Sequence, residues 1–295
     1  MRSFEFDTYD VFTDQRFAGN PLAVVMDARG LSDEEMQTIT REFNLAETSF
    51  VLPSEDASNV ARVRIFTPGY EMPFAGHPTV GTAIAIARSR GLSGEIKLEL
   101  NVGVFPVVVE THSDGGFAEF QNPNLPQENG SPPAVEAIEA ALSLPAGSID
   151  IGAHKPRRIG AGVDFIYGKA PIDVVRSARV NSAAWDALKL EQIVGVYLYA
   201  EGGEDKDAAY HARMFAPDAG IIEDPATGSA AAALPGQIAL SENLSDGDHH
   251  WVIEQGFEMG RPSQINARVM IANGAVNAVH IGGHVVAVQK GQIFL

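Results

Sequence analysis

Residues 76–83 read GHPTVGTA and residues 223–230 read EDPATGSA, and the two stretches look like copies of one another. Aligned without gaps, they place His77 on Asp224, and each of these residues is followed by a proline, with a matched glycine and hydroxyl residue further on. The copies lie about half the chain apart, which predicts two structurally similar halves. In each copy an ionisable side chain comes directly before a proline that we predict to open an apolar helix.

Both predicted helices have almost no polar face. The first continues through an Ala- and Ile-rich stretch to about Arg88, and the second contains the unbroken apolar run Ala230–Leu234. A helix that is apolar all round must be buried on all sides. Much of the remaining chain reads as strands and turns. We therefore predict an α+β fold of two pseudo-symmetric halves, each a curved, mostly antiparallel, barrel-like sheet wrapped around a central helix.

The boundary between the halves is predicted from a stretch rich in Pro, Asn and Gly. Residues 122–133 read NPNLPQENGSPP, which is typical of a linker. We place the N-terminal half at residues 1–125 and the C-terminal half at 126–295, and leave open whether the last strand crosses back onto the first half. Ser32 with Glu35 forms a capping box that predicts a helix to about Phe43. Two peripheral helices are predicted near residues 134–142 and 182–190.

Composition excludes several classes of function. The chain has 295 residues, a formal charge of −17 and no cysteine. This acidity argues against binding to nucleic acids or anionic membranes, which need a basic face. The absence of cysteine excludes disulfides, thiolate metal sites and thiol catalysis. The start of the chain lacks a signal-peptide pattern and no apolar run could span a bilayer, so we expect a cytoplasmic protein.

Metal binding has one weak candidate in the sequence. His280 and His284 are four residues apart, but they flank Gly282 and Gly283 in what we predict to be a hairpin. Two histidines at this spacing would share one face of a helix, and no helix is predicted there. We therefore predict no metal site.

The two helix starts are candidate anion sites. The first N–H groups of a helix lack intrahelical partners and carry partial positive charge, so they bind carboxylates or phosphates. Gly76 and Gly228 would let a ligand approach the backbone closely, and Ser229 could add a hydroxyl donor. The alternative is helix capping alone, with Asp224 as the cap and His77 as an ordinary buried histidine.

Glu47 is the third candidate for acid–base chemistry. It lies in LAETSFV, residues 45–51, between an apolar pair and a strand that enters the core. Partial burial there would raise the pKa of a glutamate toward neutrality, which suits a general acid/base. The alternative is a solvated carboxylate in a loop.

Several motifs, in the same order along nearly the whole chain, resemble the phenazine-biosynthesis PhzF-like isomerase family, whose fold resembles diaminopimelate epimerase. The matching stretches are residues 10–13 (DVFT), 19–25 (GNPLAVV), 45–51 (LAETSFV), 73–79 (PFAGHPT), 223–230 (EDPATGSA) and 255–263 (QGFEMGRPS). The resemblance implies two halves with the active site between them, a homodimer and no cofactor.

The resemblance also implies roles for individual residues. The general acid/base of the family corresponds to Glu47, and two further catalytic residues correspond to His77 and Asp224. Gly76, Gly228 and Ser229 correspond to positions that hold polar groups of the substrate. The related epimerases use two cysteines at the paired helix starts, and this chain has none.

We therefore expect a cofactor-independent isomerase that shifts a double bond in a small carboxylated metabolite by proton transfer. Two alternatives stay open at this stage. One is an amino-acid-type epimerase or racemase, and the other is a catalytically silent metabolite-binding protein of the same fold. The sequence does not identify the substrate.

Overall fold

The computed structural model describes residues 1–149 and 151–295, and it divides the chain into two compact units. The first unit comprises Met1–Gln121 and Gly282–Leu295, and the second comprises Asn122–Ile281. No helix in the described part of the chain is long and apolar enough to cross a membrane.

Strands make up most of the regular structure. The strands are β1 (Ser3–Val11), β2 (Asn20–Val25), β3 (Glu47–Leu52), β4 (Ala61–Phe66), β5 (Glu71–Met72), β6 (Gly94–Leu100), β7 (Gly103–Thr111), β8 (Gly115–Gln121), β9 (Gln127–Glu128), β10 (Arg157–Gly160), β11 (Asp164–Lys169), β12 (Ile193–Glu201), β13 (Ala208–Ala216), β14 (Ile221–Asp224), β15 (Gly247–Gln255), β16 (Ser263–Ala272) and β17 (Ala275–Phe294). The helices are α1 (Asp33–Phe43), α2 (Gly76–Arg90), α3 (Val135–Ala141), α4 (Ile172–Ser177), α5 (Ser182–Trp185) and α6 (Gly228–Ala239).

The sheet of the first unit closes on itself. Going round the ring, β1, β2, β3, β4, β6, β7 and β8 each pair with the next, and β17 pairs with both β8 and β1. The β2–β3 and β4–β6 pairs are parallel, and the pairs β1–β2, β3–β4, β6–β7 and β7–β8 are antiparallel. The unit is therefore a mostly antiparallel barrel, as predicted.

The second unit repeats this order of pairings. The pairs β10–β11, β12–β13 and β15–β16 are antiparallel, and β11–β12 and β13–β15 are parallel. A two-residue turn at Asn273 and Gly274, both with positive φ, joins β16 to β17. Such a turn is typical of a tight β-hairpin. The same alternation of pair types in both units confirms the duplicated fold predicted from the repeated motif.

One helix lies in the core of each unit. Twelve of the fifteen residues of α2 are buried, and so are ten of the twelve residues of α6. The helix α2 packs against β1, β2, β3, β7 and β8, whereas α6 packs against β9, β10, β11 and β16. Gly81 shows how closely α2 approaches the sheet, because a Cβ there would lie 2.6 Å from Leu22 Cδ2 and 2.7 Å from Val11 Cγ2.

Peripheral elements agree with the sequence in part. The capping box of Ser32 and Glu35 is present, and α1 ends at a left-handed Asn44. The hairpin predicted at Gly282 and Gly283 is wrong, since β17 runs through both glycines as one strand. Glycine is needed there because a Cβ on Gly282 would lie 2.7 Å from the carbonyl oxygen of Ala118. The second peripheral helix is shorter than predicted, and α4 was not predicted.

A pair of carboxylates extends the internal repeat beyond the two motifs. Glu99 on β6 and Glu254 on β15 each accept hydrogen bonds from two successive backbone N–H groups of the loop that precedes the neighbouring strand. The donors are Glu55 and Asp56 for Glu99, at 2.8 and 2.9 Å, and Glu204 and Asp205 for Glu254, at 2.8 and 2.7 Å. A glutamate at the corresponding place in each unit therefore holds the corresponding loop.

His211 on β13 lies between two carboxylates in the second unit. Its Nδ1 is 3.1 Å from Glu254 Oε2 and its Nε2 is 2.9 Å from Glu258 Oε1, and the ring is fully buried. Burial opposes protonation of the ring, but the contacts with Glu254 and Glu258 outweigh burial and raise the pKa of His211 to about 9. The same contacts lower the pKa of both carboxyl groups, against their burial.

This arrangement predicts a loss of stability in mild alkali. The unfolded chain releases the proton of His211 near pH 6.5, whereas the folded protein keeps it to about pH 9. The contribution of His211 to stability is thus complete below pH 6.5 and disappears as the pH rises through about 9. We expect the urea midpoint to fall over this window, and to fall less in His211→Gln. Equal changes in both proteins would contradict this prediction. The contributions of Glu254 and Glu258 are lost only in acid, outside this window.

Candidate active site

Glu47 is the first residue of β3, directly after the turn that ends α1. The backbone N–H of Asn44 donates to the carbonyl of Thr40 and closes the helix, so the chain enters the sheet within three residues. Glu47 pairs in parallel register with Leu22 on β2, and its side chain is 14% exposed. The carboxylate is therefore largely withdrawn from solvent, unlike a loop glutamate.

His77 lies beside Glu47. It is the second residue of α2, its side chain is 4% exposed, and its Nδ1 is 3.1 Å from Glu47 Oε2. The other ring nitrogen, Nε2, is buried and finds no hydrogen-bond partner among the residues that the structure describes. Since buried polar atoms in proteins are nearly always hydrogen-bonded, a polar group of a ligand is a natural partner for this nitrogen. The structure thus brings together two of the three predicted acid–base residues.

The start of α2 differs slightly from the prediction. The helix begins at Gly76, so Pro78 is its third residue and not its first. Pro78 is still tolerated, because the N–H groups of the first turn have no intrahelical acceptor. Gly76 is buried at the first helical position, and the cap residue Ala75 provides no side-chain hydrogen bond. The backbone N–H groups of this turn are therefore donors that a ligand could use.

Asp224 is the last residue of β14 and is 7% exposed. The prediction that Pro225 opens the second helix is wrong, since α6 begins at Gly228 and its cap residue is Thr227. The alternative of Asp224 as the helix cap is wrong for the same reason. Instead, the hydroxyl of Thr227 donates to Asp224 Oδ2 at 2.6 Å. The carboxylate is thus hydrogen-bonded to the cap residue of the helix.

The remaining predicted residues occupy the first turn of α6. Gly228 is the first helical residue and is buried, and Ser229 follows it and is partly exposed. Their N–H groups belong to the helix terminus that favours anions. The helix is twelve residues long and almost wholly apolar inside the unit. The unpaired N–H groups and Ser229 in its first turn are therefore the groups that could bind a polar part of a ligand.

The sequence did not reveal the role of Gln255. This last residue of β15 is fully buried, and its side chain makes three hydrogen bonds with the Asp224–Thr227 turn. The available signal was a polar pair, Glu254 and Gln255, directly after the apolar stretch Trp251–Ile253. A buried amide at such a place needs polar partners.

Glu47 has no counterpart in the second unit. Thr48 pairs with Phe66 in the first unit, and Val196 pairs with Phe215 in the second, so Glu47 corresponds to Gly195. A Cβ on Gly195 would lie 2.1 Å from the carbonyl oxygen of Phe215. The second unit therefore excludes any side chain at the position where the first unit carries its carboxylate.

Among the residues that the structure describes, one group of possible metal ligands lies in the second unit. Atoms of His154, Glu201 and Glu242 lie within 4.8 Å of one another. The ammonium of Lys169 pairs with Glu201 and lies 3.3 Å from His154 Nε2, so a positive charge already occupies this cluster. Burial and the nearby Lys169 lower the pKa of His154.

Comparison with known proteins places the chain in a family. Residues 9–291 match the family model PhzC-PhzF, described as phenazine biosynthesis-like protein. An uncharacterised isomerase of Mesorhizobium japonicum is 42% identical over 100% of both chains. The trans-2,3-dihydro-3-hydroxyanthranilate isomerase of Pseudomonas aeruginosa is 34% identical over 97% of this chain and 98% of its own.

A solved structure agrees with this assignment. The Bacillus anthracis phenazine biosynthesis protein of the PhzF family has a TM-score of 0.90 at 28% identity, with 100% of both chains covered. The chain therefore belongs to the PhzC-PhzF family of phenazine biosynthesis-like proteins and is an isomerase of the PhzF type.

Proposed function

We propose that this protein is a cofactor-independent isomerase in which Glu47 moves a proton between two carbons of a small carboxylated metabolite. The observation that carries the proposal is the approach of Glu47 Oε2 to His77 Nδ1 at 3.1 Å, with both side chains largely buried. A positioned acid/base of this kind typically contributes about 10²–10⁴-fold to a rate.

The proposed reaction needs only one proton carrier. Ionised Glu47 removes a proton from a carbon next to a conjugated system, and the electron pair moves into that system as the double bond shifts. The proton on Glu47 exchanges with solvent, Glu47 then delivers a proton to a second carbon, and the carboxylate is regenerated. His77 stabilises the carboxylate by its position and offers Nε2 to a polar group of the substrate.

The other predicted residues are assigned to substrate binding on the strength of the family resemblance. We assign Gly76, Gly228 and Ser229 to polar groups of the substrate, because they lie in the first turns of α2 and α6. The backbone donors of such turns bind a carboxylate without a lysine or an arginine. We assign Asp224 to orienting the substrate or relaying a proton.

The correspondence between Glu47 and Gly195 leaves Asp224, at the paired helix start, as the second unit's candidate for the second base of an epimerase. An epimerase needs a base on each face of one carbon, and duplicated enzymes can supply one base from each half. Here the carboxylate of the first unit is matched by a glycine, where a side chain would collide with Phe215. A single carboxylate that first removes and then delivers a proton suits a shift between two carbons.

Solvent exchange in heavy water tests this function. The test substrate is trans-2,3-dihydro-3-hydroxyanthranilate, after which the Pseudomonas aeruginosa relative is named. A panel of other carboxylated metabolites should be assayed beside it. We expect enzyme-dependent deuterium incorporation, read by mass spectrometry, together with a shifted double bond.

Each alternative gives a different result in this experiment. Deuterium at the original carbon with inverted configuration would show an epimerase. Saturable binding without any exchange would show a silent binding protein. Activity that survives dialysis against a chelator and desalting is expected for a cofactor-independent enzyme, and its loss would contradict that part of the proposal.

A further inference from the structure

We propose that Gln255 and Thr227 are positioning residues that hold the carboxylate of Asp224 in one orientation. This inference rests on the role proposed above for Asp224. No motif or comparison assigns a role to either residue, and the case is made by four buried hydrogen bonds and by the geometry of the adjoining turn.

Gln255 joins both ends of the turn between β14 and α6. Its side-chain Nε2 donates to the carbonyl oxygen of Asp224 at 2.7 Å and to Thr227 Oγ1 at 2.9 Å. Its Oε1 accepts from the backbone N–H of Thr227 at 3.2 Å. The amide therefore uses both of its N–H donors and its oxygen on this single turn.

These contacts set the direction of the last hydrogen bond. A threonine hydroxyl has one hydrogen to donate, and its oxygen accepts from Gln255. The hydrogen is therefore available to Asp224, whose Oδ2 lies 2.6 Å from Thr227 Oγ1. Gln255 thus orients Thr227, and Thr227 fixes the rotation of the carboxylate.

Gly256, the residue after Gln255, also lies close to the turn between β14 and α6. Gly256 has φ +79°, and a Cβ there would lie 2.6 Å from the carbonyl oxygen of Pro225. The chain after β15 therefore packs directly against the backbone of Pro225. His211 contacts both Glu254 and Glu258, which lie on either side of Gly256, and so holds the segment after β15 in place.

The fold itself does not require a hydroxyl at position 227. In the repeat, Thr227 corresponds to Val80, which precedes the matched glycine of α2. Val80 is the fifth residue of α2 and fully buried, whereas Thr227 is the cap residue of α6 and its side chain makes no capping hydrogen bond. Because the hydroxyl of Thr227 does not cap α6 and donates to Asp224 instead, it points to a task beyond helix capping.

The experiment compares Thr227→Val and Thr227→Ser with Gln255→Met and Asp224→Asn, using the test substrate in heavy water. Misplacing a reacting group by about 1 Å can cost about 10²-fold in rate. We expect Thr227→Val and Gln255→Met to lower kcat by about 10–100-fold with a smaller change in KM. Thr227→Ser keeps the hydroxyl and should restore kcat to near the wild-type value.

Gln237→Met is the matched control. Gln237 is also fully buried and hydrogen-bonded in the second unit, but its partners are Lys155 and Arg157. We expect this variant to lose stability while kcat stays near that of the wild-type protein. It separates the general cost of removing a buried amide from the specific effect at Asp224.

Two outcomes would overturn the inference, and they differ in what else they affect. If Asp224→Asn is inactive while Thr227→Val keeps wild-type kcat and KM, the positioning role is wrong and the proposed function stands. If Asp224→Asn is fully active, both the positioning role and the assignment of Asp224 are wrong. Should Gln255→Met not fold, the valine and serine variants decide alone.

Discussion

Glu47→Gln is expected to lower kcat for the test substrate by about 10²–10⁴-fold, because an amide cannot accept and return a proton. Glutamine keeps the size of the side chain and its place at the start of β3, so substrate binding should change much less than turnover. The expected signature is a lost kcat with a KM close to that of the wild-type protein. Deuterium incorporation from heavy water measures the proton transfer directly.

Glu42→Gln is the matched control for this prediction. Glu42 is exposed near the end of α1, five residues before Glu47, and the substitution makes the same chemical change. We expect full activity and an unchanged thermal midpoint. If Glu47→Gln turns over the substrate as fast as the control, Glu47 is not the acid/base.

The repeated motif predicted much of the fold because it carries its own structural constraint. An apolar run such as Ala230–Leu234 can only be buried on all sides, and a sheet that surrounds a helix must curve and close. The presence of two such helices then predicted two barrels. Local rules also predicted α1, since the capping box of Ser32 and Glu35 involves residues that are neighbours in sequence.

Contacts between distant residues could not be read in the same way. Pro225 resembles a helix-opening proline, but pairing of Met214 with Asp224 extends β14 and delays the helix to Gly228. The contact of Gln255 with Thr227 depends on β15 lying beside β13, which no local pattern shows. Residue types alone marked Glu47 and His77 as candidates, and the approach of the two side chains to 3.1 Å follows only from the fold.

Arg213→Met is expected to destabilise the protein by about 3–5 kcal/mol, as loss of one partner of a buried ion pair typically does. Arg213 is 2% exposed and makes two parallel hydrogen bonds with Glu223, both at 2.8 Å. Its Nη1 also donates to the carbonyls of Val175, Arg176 and Ala178. Methionine fills much of the space but leaves the Glu223 carboxylate and these carbonyls without their donor.

The matching pair in the first unit supports a structural role for this contact. Arg64 on β4 makes the same two-bond contact with Glu71 on β5, so each unit joins its short strand to the neighbouring strand in one way. In the second unit that short strand ends at Asp224. Loss of Arg213 should therefore loosen the strand that carries a predicted site residue.

The free energy of unfolding, measured in urea, tests this prediction against Arg176→Met. Arg176 pairs with Glu204 on the surface, where both side chains are at least 35% exposed. Exposed pairs contribute about 0–1 kcal/mol, so this control should unfold almost like the wild-type protein. Arg213→Lys keeps the charge but loses the two parallel hydrogen bonds to Glu223. Its free energy of unfolding should lie between those of Arg213→Met and Arg176→Met. Equal midpoints for Arg213→Met and Arg176→Met would show that the buried pair does not stabilise the second unit.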